Sequence, residues 1–572
     1  MRRTLAAVVV ATLALGACSS APSYHSEVRA PHPWRFARFA GATDPSAPVQ
    51  FSVVLRKPHR AAFDAYVRDL YEPSSSSFHR FLTAAQQGRR FGLPAASIRR
   101  TEAALEGAGL HVVHSYPQRT ALDVRGTIRD VESFFGMTMG DFRDRTGRLF
   151  HAPLSAPAVP AALRGTVAAV AGLNGAAVPV EPDSIANGMK RADLARAYDI
   201  GPLERAGMDG SGLSIAVISF ASFRQQDVQE FDRLTGTQGP TVREVPVGGG
   251  SSETTGGGSG EVNLDIDVIR SVAPEAQIYN YSTGGGSTVR SFIEDTADIV
   301  DRITQDGRAD IATMSWGICD VSTLQDGTPY VDAADRSRAE DAFKSAIAAG
   351  ISIFHSSGDA GAYQCQRSNV DDQRVTAEWP ADLPFVITAG GTNLSVRRDG
   401  SYLQETAWED ILENRGTGGG LNPVDARPAW ETGPGVDNRF SNGKRQYPDV
   451  AAAADPDSGY FTVTPNEKTG ASEAGVSGGT SAASPFWAAS MLLIEQYAER
   501  HGVKKLGFVA PALYDIAQHQ NAAAPSFHDI TIGGNRFYDC TTGWDYATGL
   551  GSPDVDNLAR AVVDYLRSHP PA

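Results

Sequence analysis

From Met189 onward, largely apolar runs of strand length (residues 213–220, 311–315, 351–355 and 385–389) alternate with stretches whose apolar residues recur at helical spacing (224–234, 289–305 and 338–349). Strands without a polar face are buried on both sides, so this alternation predicts an α/β fold with a mostly parallel central sheet and helices on both faces. Ligands on such sheets bind beyond the carboxyl ends of the strands. Here those ends carry polar or glycine-rich punctuation: Gly317, Ser357-Gly358-Asp359 and Gly390-Gly391-Thr392. The run 248–260 is low in complexity and reads as a surface loop beside the site.

The front of the chain has a different texture. Residues 48–150 read as a separate α/β unit, with a strand at 49–55 and helices at 59–70, 98–109 and 123–135, the last opening near Thr127 and Asp130. Residues 152–187 are rich in Ala, Pro, Val and Gly, and from Gly175 the composition suits an exposed linker where proteolysis concentrates. The expected division is a leader domain over 45–174, a linker with a processing site over 175–188 and a main domain over 189–568. A passive tether is the alternative for the linker.

Residues 1–190 hold 22 Lys+Arg against 14 Asp+Glu, and the remainder 29 against 52. A basic leader and an acidic main domain should attract one another, and an acidic surface argues against nucleic acid as a partner. The first 18 residues read as an export signal: Arg2 and Arg3 precede an apolar run too short to span a bilayer. The run ends in Leu15-Gly16-Ala17-Cys18, similar to a bacterial lipobox. Lipidation at Cys18 would anchor the precursor to a membrane; cleavage near Ala17 or Ala21 would secrete it. Cys319 and Cys365 follow successive core strands and are expected to pair outside the cytoplasm, leaving Cys540 free.

The chemistry centres on Gly478-Gly479-Thr480-Ser481-Ala482-Ala483-Ser484-Pro485. A seryl hydroxyl needs a base to become a nucleophile, and no histidine after residue 190 stands in a suitable context. In Gly260-Glu261-Val262-Asn263-Leu264-Asp265-Ile266-Asp267, Glu261 and Asp265 share one helix face; Asp267 is out of phase and reads as a solvated acid. Together with Ser315-Trp316-Gly317, Ser357-Gly358-Asp359 and Gly543-Trp544-Asp545, these motifs resemble the sedolisins, the serine-carboxyl peptidases. Tyr71-Glu72-Pro73 with His79-Arg80-Phe81-Leu82-Thr83 resembles the prodomain signature of that family.

The resemblance implies a subtilisin-like main domain behind a ferredoxin-like activation prodomain that inhibits it. It implies Ser481 as nucleophile, Glu261 as base, Asp265 as its partner and Asp359 as oxyanion donor. One structural calcium ion is implied, on the carboxylates of Asp529 and Asp545 and the carbonyls of Ile530, Thr541 and Gly543. Asp320 lacks flanking glycines and reads as a loop acid. The leading expectation is a monomeric, exported, self-processing acid endopeptidase acting on proteins or peptides. A tripeptidyl exopeptidase and a catalytically silent peptide-binding lipoprotein are the alternatives.

Overall fold

The computed structural model describes residues 38–143, 149–175, 188–284, 292–322, 331–503 and 505–569. The expected export signal with Cys18 and nearly all of the 175–188 linker lie outside them.

In the leader, β1 (Pro48–Leu55) is followed by helices α1 (Arg60–Asp69), α2 (Ala84–Phe91) and α3 (Ala95–Glu106), then β2 (His111–Ser115), β3 (Ala121–Thr127), α4 (Ile128–Phe135) and β4 (Val167–Ala171). The four strands form an antiparallel sheet in the order β2-β3-β1-β4. That is the βαββαβ ferredoxin-like arrangement. Apolar residues of the sheet (Val49, Phe51, Leu122, Val124) and of α4 (Val131, Phe135) close a core of their own. The expected helix over 123–135 is only half right. Residues 121–127 pair with β1, and Thr127 starts the helix, its hydroxyl and the Asp130 carboxyl capping each other's backbone N–H groups. Such a cap is worth about 1 kcal/mol.

The main domain is built on an eight-stranded sheet. Its strands are β5 (Ser214–Ser219), β6 (Arg243–Pro246), β7 (Gln277–Ser282), β8 (Ile311–Met314), β9 (Ser352–Ser356), β10 (Ile387–Val396), β11 (Tyr402–Ala407) and β12 (Val450–Ala453). They run in the order β11-β10-β9-β8-β5-β7-β6, with β12 also on β10, and every pairing is parallel except β10–β11. The helices that matter below are α5 (Gln225–Thr235), α6 (Gly257–Val272), α7 (Phe292–Asp306), α8 (Ala333–Ala348) and α9 (Thr480–Arg500). A hairpin, β13 (Tyr460–Pro465) and β14 (Ser472–Ser477), leads into α9. Cys319 and Cys365 form a disulfide, with Cα atoms 4.9 Å apart, and Cys540 is free.

The leader docks on α7 and α8. Leu82 N–H donates to the Ala348 carbonyl at 2.9 Å and the Gln87 amide to the Ser345 carbonyl at 2.9 Å. Gln118 and Thr120 donate to the two carboxyl oxygens of Asp301 at 2.6 and 2.7 Å. Beneath them the wholly buried Arg338 faces Asp301 at 2.8 Å, Asp298 at 3.1 Å and Glu294 at 3.6 Å. Arg60 of α1 pairs with Asp341 at the edge of the contact, at 3.1 Å.

Candidate active site

Helix α6 is buried along nearly its whole length, so its polar side chains sit in the interior. It begins at Gly257, which shortens the expected loop to 248–256. Glu261 is 2% exposed and Asp265 fully buried. Burial, and then the charge of Asp265, push the Glu261 carboxyl well above its usual range; the Ser481 hydroxyl opposes that rise and Asp359 adds to it. Ser481 thus lies against this carboxyl, although neither Glu261 oxygen has a hydrogen bond of good geometry. Catalytic hydrogen bonds often tighten only when substrate arrives. Asp265 is also raised by burial, with the Ser315 hydroxyl opposing.

Ser481 occupies the first turn of α9, after Gly479, whose φ of +87° suits glycine. Proline four residues later has no N–H to give the Ser481 carbonyl, so the usual i to i+4 helix bond is missing there. The Ser315 hydroxyl stands in its place, 3.1 Å from the Ser481 carbonyl and 2.7 Å from Asp265 Oδ1. A hydroxyl has one proton, so it donates to one of these at a time. If Asp265 is protonated it can donate to Ser315, which then donates to Ser481, and the chain is satisfied throughout. The role of Ser315 was not readable from its motif, because the partner carbonyl is released by a proline 170 positions away.

Asp359 lies in the turn after β9, where Gly358 has φ +92°. Its Oδ1 accepts from both the N–H (2.9 Å) and the hydroxyl (2.7 Å) of Thr480, the residue before the serine. A Cβ on Gly479 would come within 2.7 Å of Oδ2. The second oxygen therefore points at the backbone beside Ser481. The structure also brings in Glu378, which nothing in the sequence marked: its carboxyl oxygens fill the space that side chains at Gly317 and Gly358 would need. Burial pushes Glu378 up to about 8, with Arg367 opposing.

One acid differs from expectation. Asp267 is buried rather than solvated and accepts the N–H of Val463 on β13 at 2.7 Å. Asp320 lies in a loop, as expected, and is buried and paired with Arg336.

The residues expected to hold calcium converge on one turn. Gly543 N–H donates to Asp529 Oδ2 and Thr541 N–H to Asp545 Oδ2, both at 3.0 Å. The carbonyls of Ile530, Thr541 and Gly543 accept no hydrogen bond from a described residue. Burial raises both carboxyls, Asp545 to about 6, and no basic side chain is among the groups acting on either. This oxygen-only donor set fits a hard divalent cation. A second group, Asp123, Glu294 and Asp298, has carboxyl oxygens within 4.8 Å of one another and could hold a metal by spacing. Arg338 already faces two of the three.

Residues 36–175 match the family model for the pro-kumamolisin activation domain, and residues 247–507 the subtilase family. The chain is 32% identical to kumamolisin of Bacillus sp. (strain MN-32) over 65% of its own length and 63% of that protein's, so the match spans less than two thirds of that relative. It is 26% identical to sedolisin of Pseudomonas sp. (strain 101) over 90% of this chain and 87% of that one. It is 24% identical to tripeptidyl-peptidase 1 of Bos taurus over 96% and 97%. Among solved structures it resembles Pseudomonas sedolisin, a serine-carboxyl proteinase complexed with pseudo-iodotyrostatin. That match has a TM-score of 0.55 and 26% identity over 67% of this chain and 99% of that one.

Proposed function

The chain belongs to the sedolisin family of serine-carboxyl peptidases and carries that family's activation domain, and from this membership we propose an exported, self-processing acid endopeptidase acting through Ser481, Glu261, Asp265 and Asp359. The observation that carries the proposal is the arrangement of three carboxyls about one serine: Glu261 against Ser481, Asp359 on the preceding Thr480, and Asp265 linked to the Ser481 carbonyl through Ser315. Among the described residues no histidine hydrogen-bonds Ser481.

Two carboxyls as close as Glu261 and Asp265 cannot both ionise freely, so the pair holds one proton over a range of acid pH. With that proton on Asp265, ionised Glu261 takes the Ser481 proton as Oγ attacks the scissile carbonyl. The developing oxyanion needs a donor. Asp359 in its protonated form has Oδ2 to offer, since Thr480 occupies Oδ1. Glu261 then passes its proton to the leaving amine, the acyl-enzyme forms, and water repeats the sequence to release the acid. Asp529, Asp545 and the three carbonyls beside them would hold one structural calcium ion. Leader and linker would keep the precursor inactive, and the disulfide suits a compartment outside the cytoplasm.

Acidifying the purified precursor to about pH 4 and sequencing the new N-terminus tests self-processing. Product lengths from a denatured protein test the endopeptidase reading. A ladder of tripeptides would instead favour the exopeptidase reading, which the tripeptidyl-peptidase relatives support.

A further inference from the structure

His355 is the penultimate residue of β9, four residues before Asp359, and is fully buried. Both of its ring nitrogens face carbonyl oxygens: Nδ1 lies 2.5 Å from that of Ser356 and Nε2 3.0 Å from that of Trp316. A neutral imidazole carries one N–H, so it can satisfy only one of these and sets a lone pair against the other. An imidazolium donates to both. The two carbonyls belong to the strand ends that build the site. Trp316 follows Ser315, the partner of Asp265 and of the Ser481 backbone, and Ser356 opens the turn that presents Asp359.

We propose that His355 is a positioning residue whose imidazolium form ties the Trp316 and Ser356 carbonyls together, so that protonation of this one ring orders the site in acid. The inference rests on the acid-peptidase reading above only for its consequence in catalysis; the protonation itself is independent of it. Burial pulls the ring down to about 4, and the two carbonyls act in the opposite direction.

No charged group complicates this titration. Phe354, the preceding residue, stacks on Trp487 of α9, so the alternation of a strand turns His355 to the other face. On β8 and β10 its register partners are Met314 and Thr388, neither ionisable. Beyond the ends of β8 and β9 lie the site acids Glu261, Asp265, Asp359 and Glu378, and on β10 the Thr388 N–H is held by Asp449. None of them is among the influences on the ring, which are burial and the two carbonyls alone.

The test compares wild type, His355→Phe and His355→Gln with a fluorogenic peptide between pH 3 and 7. The wild-type to Phe ratio of kcat should rise about tenfold as pH falls through 4, while KM changes little. The Gln variant, donating to one carbonyl at every pH, should give a ratio to Phe that does not vary with pH. A wild-type to Phe ratio independent of pH would overturn the proposal, since a purely structural role would produce it. Histidine-selective nitrogen NMR on the full-length Ser481→Ala precursor needs no activity. The resonance absent from either variant that folds identifies His355; if neither folds, His79→Gln and His528→Gln assign the other two rings that burial holds near 4, and His355 follows by elimination. Conversion near pH 4 from one protonated nitrogen to two supports the proposal, and a ring still neutral at pH 3 refutes it. An inactive wild type with that same conversion would strike the peptidase reading and leave His355 standing.

Discussion

Replacing Asp359 separates its two functions. In Asp359→Ala the oxyanion loses its donor, which in comparable sites lowers kcat by about 10²–10³. The N–H and hydroxyl of Thr480, bonded at 2.9 and 2.7 Å, lose their common acceptor as well. Thr480 precedes the nucleophile, so misplacement of Ser481 adds to the loss, and the total should reach at least the upper end of that range. Asp359→Asn is the sharper probe. Its Oδ1 can keep both Thr480 contacts, while its Nδ2 replaces Oδ2 facing Gly479. An amide donates at every pH, whereas a carboxyl donates only when protonated. The Asn variant should therefore retain far more activity than the Ala variant, and its pH profile should extend further toward neutrality than that of wild type. The assay is kcat/KM with a quenched fluorogenic peptide from pH 3 to 7, on enzyme processed in trans. An Ala variant within threefold of wild type would remove Asp359 from the mechanism. An Asn profile that falls at the same pH as wild type would show that its proton is not what limits activity.

Ser481→Ala and Glu261→Gln should each leave a full-length precursor after acidification, seen on a gel; maturation of either in pure form would assign the nucleophile or the base elsewhere. Ser315→Ala should cost about 1–3 kcal/mol of transition-state stabilisation, read as kcat, because the Asp265 carboxyl and the Ser481 carbonyl lose the hydroxyl that links them; an unchanged kcat would make that contact incidental. Chelation should lower the melting temperature through loss of a ligand of the folded state, and Asp545→Ala should blunt any further effect; identical melting with and without chelator would dismiss calcium. For His355 the sign is that of a histidine held below its ordinary value, about 4 against 6.5: the unfolded chain takes the proton first, so stability is lost as pH falls from 6.5 toward 4, by about 3 kcal/mol. His355→Phe should flatten that part of the stability curve, and parallel curves for the two proteins would contradict the assignment.

What could be read from the sequence was what depends on local pattern. Unbroken apolar strands marked the parallel sheet, the Thr127–Asp130 pair marked a helix start, and the spacing of Glu261 and Asp265 put them on one face. What escaped it depends on distant parts of the chain meeting. Residues 123–126 became strand because β1 supplied partners that a helical pattern could not reveal. Asp267, out of phase on a helix taken to be half solvated, is buried because the hairpin before Ser481 covers the far side of α6 and offers it the Val463 N–H. Glu378 and His355 acquire meaning only where strand ends converge, and no spacing along the chain reports that.

The docking of the leader poses a question of sign on which composition and the contact itself disagree. Net charge predicts attraction between leader and main domain that fades as carboxylates are protonated. At the contact itself, however, burial raises Asp301 and Glu294 above their usual ranges. If release of the leader lets solvent reach them, they fall back toward ordinary values, so the docked state holds protons more tightly than the released one. Acid then favours docking at these groups, the reverse of the long-range effect. The long-range effect is screened beyond about 8 Å at physiological salt, and contacts such as Leu82 with Ala348 and Gln87 with Ser345 are indifferent to pH. Severing the 175–188 linker acts differently, since it removes an effective concentration on the order of mM and lets dilution separate the parts. Acid on this argument enables the Glu261 and Asp265 chemistry that cuts the linker, more than it loosens the complex. Affinity of the cleaved but associated leader, measured at about 0.15 M salt, should change by less than tenfold between pH 7 and the carboxyl range near 4. A steeper fall, abolished by high salt, would restore net charge as the switch.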